Sequence, residues 1–419
     1  TNRTVFRDCK DTKKILASKK ILRNMQIKWK IPGLTGGNIW INRIFVKMRR
    51  ILAYFILIVG SVFPAPAQLR LDFPQPRPMF QHPDTVSMVF MGDVMMHKDQ
   101  ITNALQSDGT YSFSTYFKEI GPLISDADLA VANMEFTLGG TPYTGYPCFS
   151  APDSYSDYAA DCGIDVFLTA NNHILDRGKA GIERTLAIYG RMEEERGIKY
   201  AGCAADKASV AVRDPLIVAV KGLRVALVNF TYGTNTSIGS EWPAVFRTDT
   251  ASIGKAIRRA REAKVDLVIA LPHWGIEYDL TSSSAQRKLA QWLAQSGCDA
   301  VIGAHPHVVQ NIETLPGEDG KPVPVAYSMG NLVSNMSAPN TRIGMMMKLH
   351  VLTDRFGKRT LEVEPVLTWC TRPGTLTKSY CTIPVKEYLG RRDLWISPYD
   401  YDNMVDNYQR VKAITNIED

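Results

Sequence analysis

Gly303-Ala304-His305-Pro306-His307-Val308-Val309-Gln310, preceded by Gly297-Cys298-Asp299-Ala300-Val301-Ile302, is the stretch on which the reading of this chain turns. The apolar run Ala300–Ile302 reads as a buried strand, so the two histidines fall on the loop leaving a sheet's carboxyl end, where α/β proteins place their chemistry. Pro306 fixes its own φ and is expected to press His305 into an extended conformation, in which residues i and i+2 face the same way. Both imidazoles would then enter one site and serve one metal ion or two neighbouring ions. A His-rich turn is the plainer alternative, and the rest of the chain decides between them.

Working outward, the same design recurs. The run Thr85–Met91 reads as a first buried strand and ends in Gly92-Asp93-Val94-Met95-Met96-His97, although Gly-Asp alone is also an ordinary turn. A helix is expected over about 115–126, and the strand Asp128–Ala132 then delivers Asn133-Met134-Glu135. The strand Asp165–Ala170 runs into Asn171-Asn172-His173-Ile174-Leu175-Asp176-Arg177-Gly178, ahead of a helix over 179–196. Capping explains one of these asparagines but not the group, which offers a carbonyl ligand, an imidazole acid or base and an aspartate to orient it. Strands around 208–220 and 224–230, with Lys221-Gly222 as their turn, are expected at a sheet edge. After a helix over 248–263, the strand Val265–Pro272 ends in His273-Trp274-Gly275-Ile276-Glu277-Tyr278, and a helix over 283–296 returns the chain to the His-Pro-His loop. Beyond it, Pro324–Ser328 leads into Met329-Gly330-Asn331, followed by strands over 342–353 and 360–371 and a Tyr/Asp-rich helical tail.

Five of the seven histidines thus lie at strand ends together with Asp93, Glu135 and Asn172. A cluster of N and O donors on one rim is what a two-metal hydrolytic site requires. His82 and His350 fall outside the pattern. There is no Gly-x-Gly-x-x-Gly, no Walker loop and no Gly-x-Ser-x-Gly elbow.

The 419 residues suffice for one large domain or two ordinary ones, and 45% hydrophobic with 22% charged residues is a globular composition. The formal charge of +7 suggests nucleic acid until it is located: residues 1–67 carry 14 Lys+Arg against 2 Asp+Glu, leaving 35 basic and 40 acidic residues downstream. Binding to nucleic acid through bulk charge is therefore excluded for the remainder. Residues 48–67 have the basic start, apolar middle and small residues (Ala65, Ala67) of a secretory signal cut before Gln68, with an uncleaved membrane anchor as the alternative. The apolar run Ile51–Phe63 is shorter than the roughly 20 residues a spanning helix needs. Residues 1–47 read as translated upstream sequence, or else as a basic arm; 68–84 form a Pro-rich leader. The domain then covers 85–335, with the strands and helical tail of 336–419 packed on it. Export to an oxidising space suggests pairing Cys148 with Cys162 and Cys370 with Cys381, against buried free thiols as the alternative.

The ordered motifs Gly-Asp-x4, Asn-x-Glu, Asn-Asn-His-x-x-Asp-x-Gly, His-Trp-Gly-x-Glu-Tyr, Gly-x-His-Pro-His-Val-x-Gln and Tyr-Ser-x-Gly-Asn, spread over about 85–335, resemble the CapA/PgsA family of poly-γ-glutamate capsule proteins, within the calcineurin-like metallophosphoesterase superfamily. The resemblance implies a four-layer α/β/β/α sandwich of the metallophosphoesterase type, its second sheet completed by the C-terminal strands. It implies divalent metal, two ions of Mn, Fe or Zn, held by Asp93, His97, Glu135, Asn172, His273, His305 and His307. His173 with Asp176 would be catalytic, and Asn133, Asn171, Glu277, Gln310 and Asn331 would touch substrate or support the ligands. Here the histidine follows Asp93 by four residues rather than two, and Glu135 stands where the superfamily usually has Asp, so one ion or two both stay open. The implied role is in capsule biosynthesis, on an anionic exopolymer or a small phosphoester, beside membrane-bound synthase subunits. A non-catalytic polymer-binding or transport factor, and a metal that only holds the fold, are the competing readings.

Overall fold

A computed structural model of the chain describes residues 84–419. The segment 1–47, the signal at 48–67, the leader up to residue 83, His82 and Cys9 lie outside the described residues. Among the described residues, no helix is long and apolar enough to cross a membrane.

The described residues form sixteen strands, in chain order β1 (Asp84–Val94), β2 (Leu129–Met134), β3 (Val166–Leu168), β4 (Lys199–Ala201), β5 (Cys203–Ala204), β6 (Leu216–Val220), β7 (Leu223–Thr231), β8 (Ala244–Val245), β9 (Leu267–His273), β10 (Ala300–Ile302), β11 (Ile312–Pro316), β12 (Pro322–Ala326), β13 (Asn331–Val333), β14 (Ile343–Thr353), β15 (Arg359–Thr371) and β16 (Cys381–Pro384). An eight-stranded sheet has the order β16-β15-β14-β1-β2-β3-β4, with β13 beside β1, and a six-stranded sheet has the order β11-β12-β10-β9-β7-β6. In the first, the parallel strands β1 to β4 carry antiparallel β14, β15 and β16 on one side; in the second, a parallel centre β12-β10-β9-β7 is flanked by antiparallel β11 and β6. The parallel strands end on the same side of each sheet, and Asp93, Asn133, Glu135, His273 and the His305–His307 loop lie at or just past such ends.

Side-chain alternation builds the layers. Along β1, Met88 and Phe90 join a core with Leu227 of β7, Ile269 of β9 and Ile302 of β10, between the sheets. Val89 and Met91 point the other way, onto Tyr155 of the helix Asp153–Asp161 and Ile182, Leu186 and Tyr189 of the helix Gly178–Arg196. On the far side of the second sheet, Ala226, Val228 and Val268 pack against Ile253, Ile257 and Ala260 of Thr250–Glu262 and Leu293 of Ser284–Gln295. The architecture is the expected four-layer α/β/β/α sandwich.

Four expectations need correction. The C-terminal strands complete the first sheet, not the second: β14 runs antiparallel to β1 from Asp84↔Thr353 to Met91↔Met346, which carries Met345, Met347, Leu349 and Val351 into the core between the sheets. The corresponding edge of the second sheet is taken by β11, which hairpins onto β12. The helix expected over 115–126 is confined to Gly121–Ser125, with Pro122 in its first turn. The strand expected from 208 begins at Leu216, because Val210–Arg213 is a helical turn leading into Asp214-Pro215. Finally, all six described cysteines are free thiols. Cys370 and Cys381 sit on paired strands one residue out of register, Cys370 opposite Thr382, so their side chains leave opposite faces and enter different cores.

The basic residues Arg177, Lys179 and Arg342 do not gather at the motif-bearing rim as free charges. Arg342 makes a bidentate pair with Asp400 of the helix Pro398–Thr415 (2.5 and 2.8 Å), Lys179 lies 3.8 Å from Glu183 on its own helix, and Arg177 donates to Thr144.

Candidate metal centre

Gly92 explains how the first carboxylate reaches the centre. A Cβ there would come within 1.9 Å of the Gly330 carbonyl oxygen, so only glycine lets β13 lie against the end of β1. That contact registers Asp93 opposite Asn331. Asp93 is fully buried; Oδ1 accepts from Asn133 Nδ2 at 2.7 Å, and Oδ2 accepts from the His305 backbone N–H at 3.3 Å. The Gly-Asp step is therefore no solvent-facing turn.

His305 and His307 converge on this carboxylate, but not through extended backbone. Their φ values are +101° and +58°, positions that non-glycine residues seldom occupy and that persist where surrounding contacts fix them. The Asp93 bond to the His305 N–H is one such contact; another is Asn331, whose Oδ1 lies 3.0 Å from His307 Nδ1 while its Nδ2 donates to Thr341 O. Gln310 braces the loop from below, accepting from Gln286 and donating to the carbonyls of Asp279 and Thr281.

Glu135 is the middle of the cluster. Its Oε1 lies 3.7 Å from Nε2 of both His273 and His307, and no hydrogen-bond donor reaches it. His305 Nδ1 is likewise buried without a partner. Asn172 Oδ1 stands 2.8 Å from His273 Nε2, and Asn133 bridges Asp93, Glu135 and the other His273 nitrogen. Asn171 supports this row by donating to Met134 O and accepting from the His173 N–H. Three overlapping donor groups result: Glu135-His273-His305, Asp93-Glu135-His307 and Glu277-His305-His307, each with its ligand atoms within 4.8 Å of one another.

His97 does not belong to these groups. It precedes the helix Lys98–Ala104, where its Nδ1 lies 3.2 Å from Gln100 Oε1 and accepts the Asn335 N–H at 3.2 Å. Beside the cluster, His173 Nδ1 meets Asp176 Oδ2 at 2.7 Å, and the same oxygen accepts the Phe149 N–H. Sequence reading passed over Asn235, 3.3 Å from His173 Nδ1, and Tyr232, whose ring lies 4.6 Å from that of His305. Both follow the end of β7, so the strand-end rule that found the other residues would have found them.

The electrostatics suit a cation. Burial, and next the charge of Asp93, push Glu135 far above the usual carboxylate range. Burial would raise Asp93 too, but His307 beside it and the Asn133 amide outweigh that and hold it below its ordinary value. Burial and the neighbouring imidazoles keep His273 neutral and bring His305 down to about 3, while on His307 the bond to Asp93 overcomes burial and holds the proton more firmly than usual. Buried carboxylates and neutral imidazoles, two of them with orphaned lone-pair atoms, fit the donor set of a divalent transition metal, whose N and O ligands lie about 2.0–2.2 Å from the ion.

A pH dependence follows. His273 and His305 are already deprotonated near neutrality, whereas Glu135 and His307, both shifted up, must each release a proton to bind. Loading should therefore release protons, and affinity should climb with rising pH over a range displaced upward from the ordinary carboxylate and imidazole values. Calorimetry of Mn2+ binding in two buffers of different ionisation enthalpy measures this; proton uptake would contradict it.

The profile of the family described as bacterial capsule synthesis protein PGA_cap matches residues 87–336. The chain is 26% identical over 296 residues to the capsule biosynthesis protein CapA of Bacillus anthracis, covering 68% of this chain and 67% of that protein. It is also 26% identical over 296 residues to the PGA biosynthesis protein CapA of Bacillus subtilis (strain 168), covering 68% and 72%. Among solved structures, the NAD nucleotidase NadN of Haemophilus influenzae superposes with a TM-score of 0.44 at 14% identity, covering 79% of this chain and 68% of that one.

Proposed function

The chain belongs to the bacterial capsule synthesis protein family PGA_cap, and from that premise we propose that it is an exported, metal-dependent hydrolase of capsule biosynthesis. Its substrate is a phosphoester or amide bond in, or attached to, an anionic polymer of the poly-γ-glutamate kind. The names of its relatives support the capsule role, and the export signal read at 48–67 supports the compartment. The observation that carries the chemistry is Glu135 Oε1, a buried carboxylate oxygen between two imidazoles and beyond hydrogen-bond reach of both. A buried polar oxygen without a hydrogen-bond partner is costly, and a cation that takes the place of the carboxyl proton relieves the cost.

Asp93, Glu135, Asn172, His273, His305 and His307 would hold the metal, which supplies a polarised substrate oxygen and a water acidic enough to attack near neutral pH. Asp176 fixes the His173 ring by accepting from Nδ1, which leaves Nε2 to carry the proton for the leaving oxygen. Phe149 packs edge-on against that ring at 4.6 Å and shields it from water. Asn133 keeps Asp93 and Glu135 apart in role by donating to both.

His173→Ala should lower kcat roughly 10²–10⁴-fold with metal content unchanged. The assay is metal-dependent cleavage of p-nitrophenyl phosphoesters and of poly-γ-glutamate by the purified protein. A folded, metal-loaded protein that binds the polymer and cleaves nothing would establish the assembly-factor role instead, and a chain that takes up no metal would sink the hydrolase reading.

A further inference from the structure

The donors of the cluster are all buried except one. Glu277 lies on the solvent-facing loop that leaves β9, yet its carboxylate comes within 4.8 Å of a ring nitrogen of both His305 and His307. This proximity is built in by the loop's backbone. Gly275 turns with φ +101°, a conformation that favours glycine, and passes close beneath the Gln286 amide. The Tyr278 N–H then donates to the Pro306 carbonyl at 2.8 Å, clamping Glu277's neighbour onto the residue between the two histidines. Gln310 ties down the far side through Asp279 O and Thr281 O. Tyr278 itself takes a positive φ of 67° and sets its ring 6.3 Å from that of His307. Two backbone positions in the left-handed region and three hydrogen bonds to the opposite loop hold one exposed carboxylate above two buried imidazoles.

We propose that Glu277 is a direct ligand of a divalent cation, bound together with His305 and His307 on the solvent side of the cluster. The inference rests on the reading of the cluster as a metal centre and adds to it a ligand that no buried-residue argument finds. Being exposed, this ligand can leave when an anionic substrate arrives, whereas Asp93 and Glu135 cannot.

The test is titration of the metal-stripped, full-length protein with Co2+, followed by visible absorbance and by elemental analysis after desalting, for the wild type, Glu277→Gln and Asp279→Asn. Asp279 carries the same charge two residues further along the loop, where its Oδ1 accepts from Thr281, and it belongs to none of the donor groups. Both variants should melt like the wild type when stripped. Glu277→Gln should weaken one class of Co2+ binding by more than about 100-fold, beyond the 10- to 100-fold cost of disturbing a ligand's support, and alter the visible band, while Asp279→Asn titrates as the wild type. A Glu277→Gln titration identical to the wild type overturns the assignment, as does an equal loss in Asp279→Asn, which would reduce the effect to loop charge. Failure of the wild type to bind Co2+ would instead overturn the metal-centre reading on which the assignment rests, so the two failures are told apart by the wild-type curve alone.

Discussion

Replacing His305 and His307 together by alanine should abolish tight metal binding while leaving the sandwich folded. Each of the three donor groups contains at least one of the two rings: His305 serves the group with Glu135 and His273, His307 the group with Asp93 and Glu135, and both serve the group with Glu277. After the double change, Asp93, Glu135, Asn172, His273 and Glu277 remain, and none of the three donor groups is complete. Loss of a whole ligand exceeds the 10- to 100-fold cost of disturbing a ligand's support, so affinity should fall by more than about 100-fold. Both side chains are buried at the rim and the apolar cores are untouched, so circular dichroism of the stripped proteins should differ little, while the melting transition of the double variant should fall because buried Asp93 loses its His307 partner. Elemental analysis beside circular dichroism decides the matter. A folded double variant that keeps its metal would move the centre elsewhere; a variant that unfolds only on chelation-like loss of metal would make the ion structural.

The second large effect concerns stability rather than chemistry. Arg342 joins β14 to the helix Pro398–Thr415 through a bidentate bond to Asp400, with its Nε–H on the Cys370 carbonyl and its guanidinium 4.2 Å over the Trp369 ring. Arg342 and Asp400 are 11% and 8% exposed, so neither charge is solvated without the other. Arg342→Met keeps most of the packing volume but strands Asp400, at a cost of about 3–5 kcal/mol. Arg342→Met/Asp400→Leu should recover much of it, because the penalty lies in the unpaired charge. Urea denaturation of the three proteins tests this, and a single variant within about 1 kcal/mol of the wild type would show that the helix is held by its apolar face alone.

Much of this was legible in the chain. Apolar runs ending in Asp93, Asn133 and Glu135, Asn171 to Asp176, His273 and the His-Pro-His loop carry both the strand and the residue it presents, because burial and parallel direction are local patterns. What failed was what depends on partners far along the chain. Pro306 was expected to make His305 extended, yet His305 takes a positive φ, with its N–H on Asp93, which lies on another sheet. Asn331 was found without β13, a strand three residues long that exists only because Gly92 admits it. The sheet to which β14 belongs was misassigned because alternation shows that a strand is half-buried and not against which neighbour it lies. Glu277, read from its motif as a supporting residue, needed the clamp between two loops before its carboxylate could be placed.

The pairing of β1 with β14 bears on the order of events during synthesis. Met88 meets Leu349 across that ladder, so the strand bearing Asp93 stays an open edge until almost the whole domain has left the ribosome. Asp93 and Glu135 are made early and His305 and His307 late; a half-made chain therefore owns carboxylates but no cation trap. Contacts of such long range fold slowly and leave hydrophobic edges uncovered meanwhile. A centre whose donors come from both halves of the chain can therefore close only after β14 has been made and has covered β1.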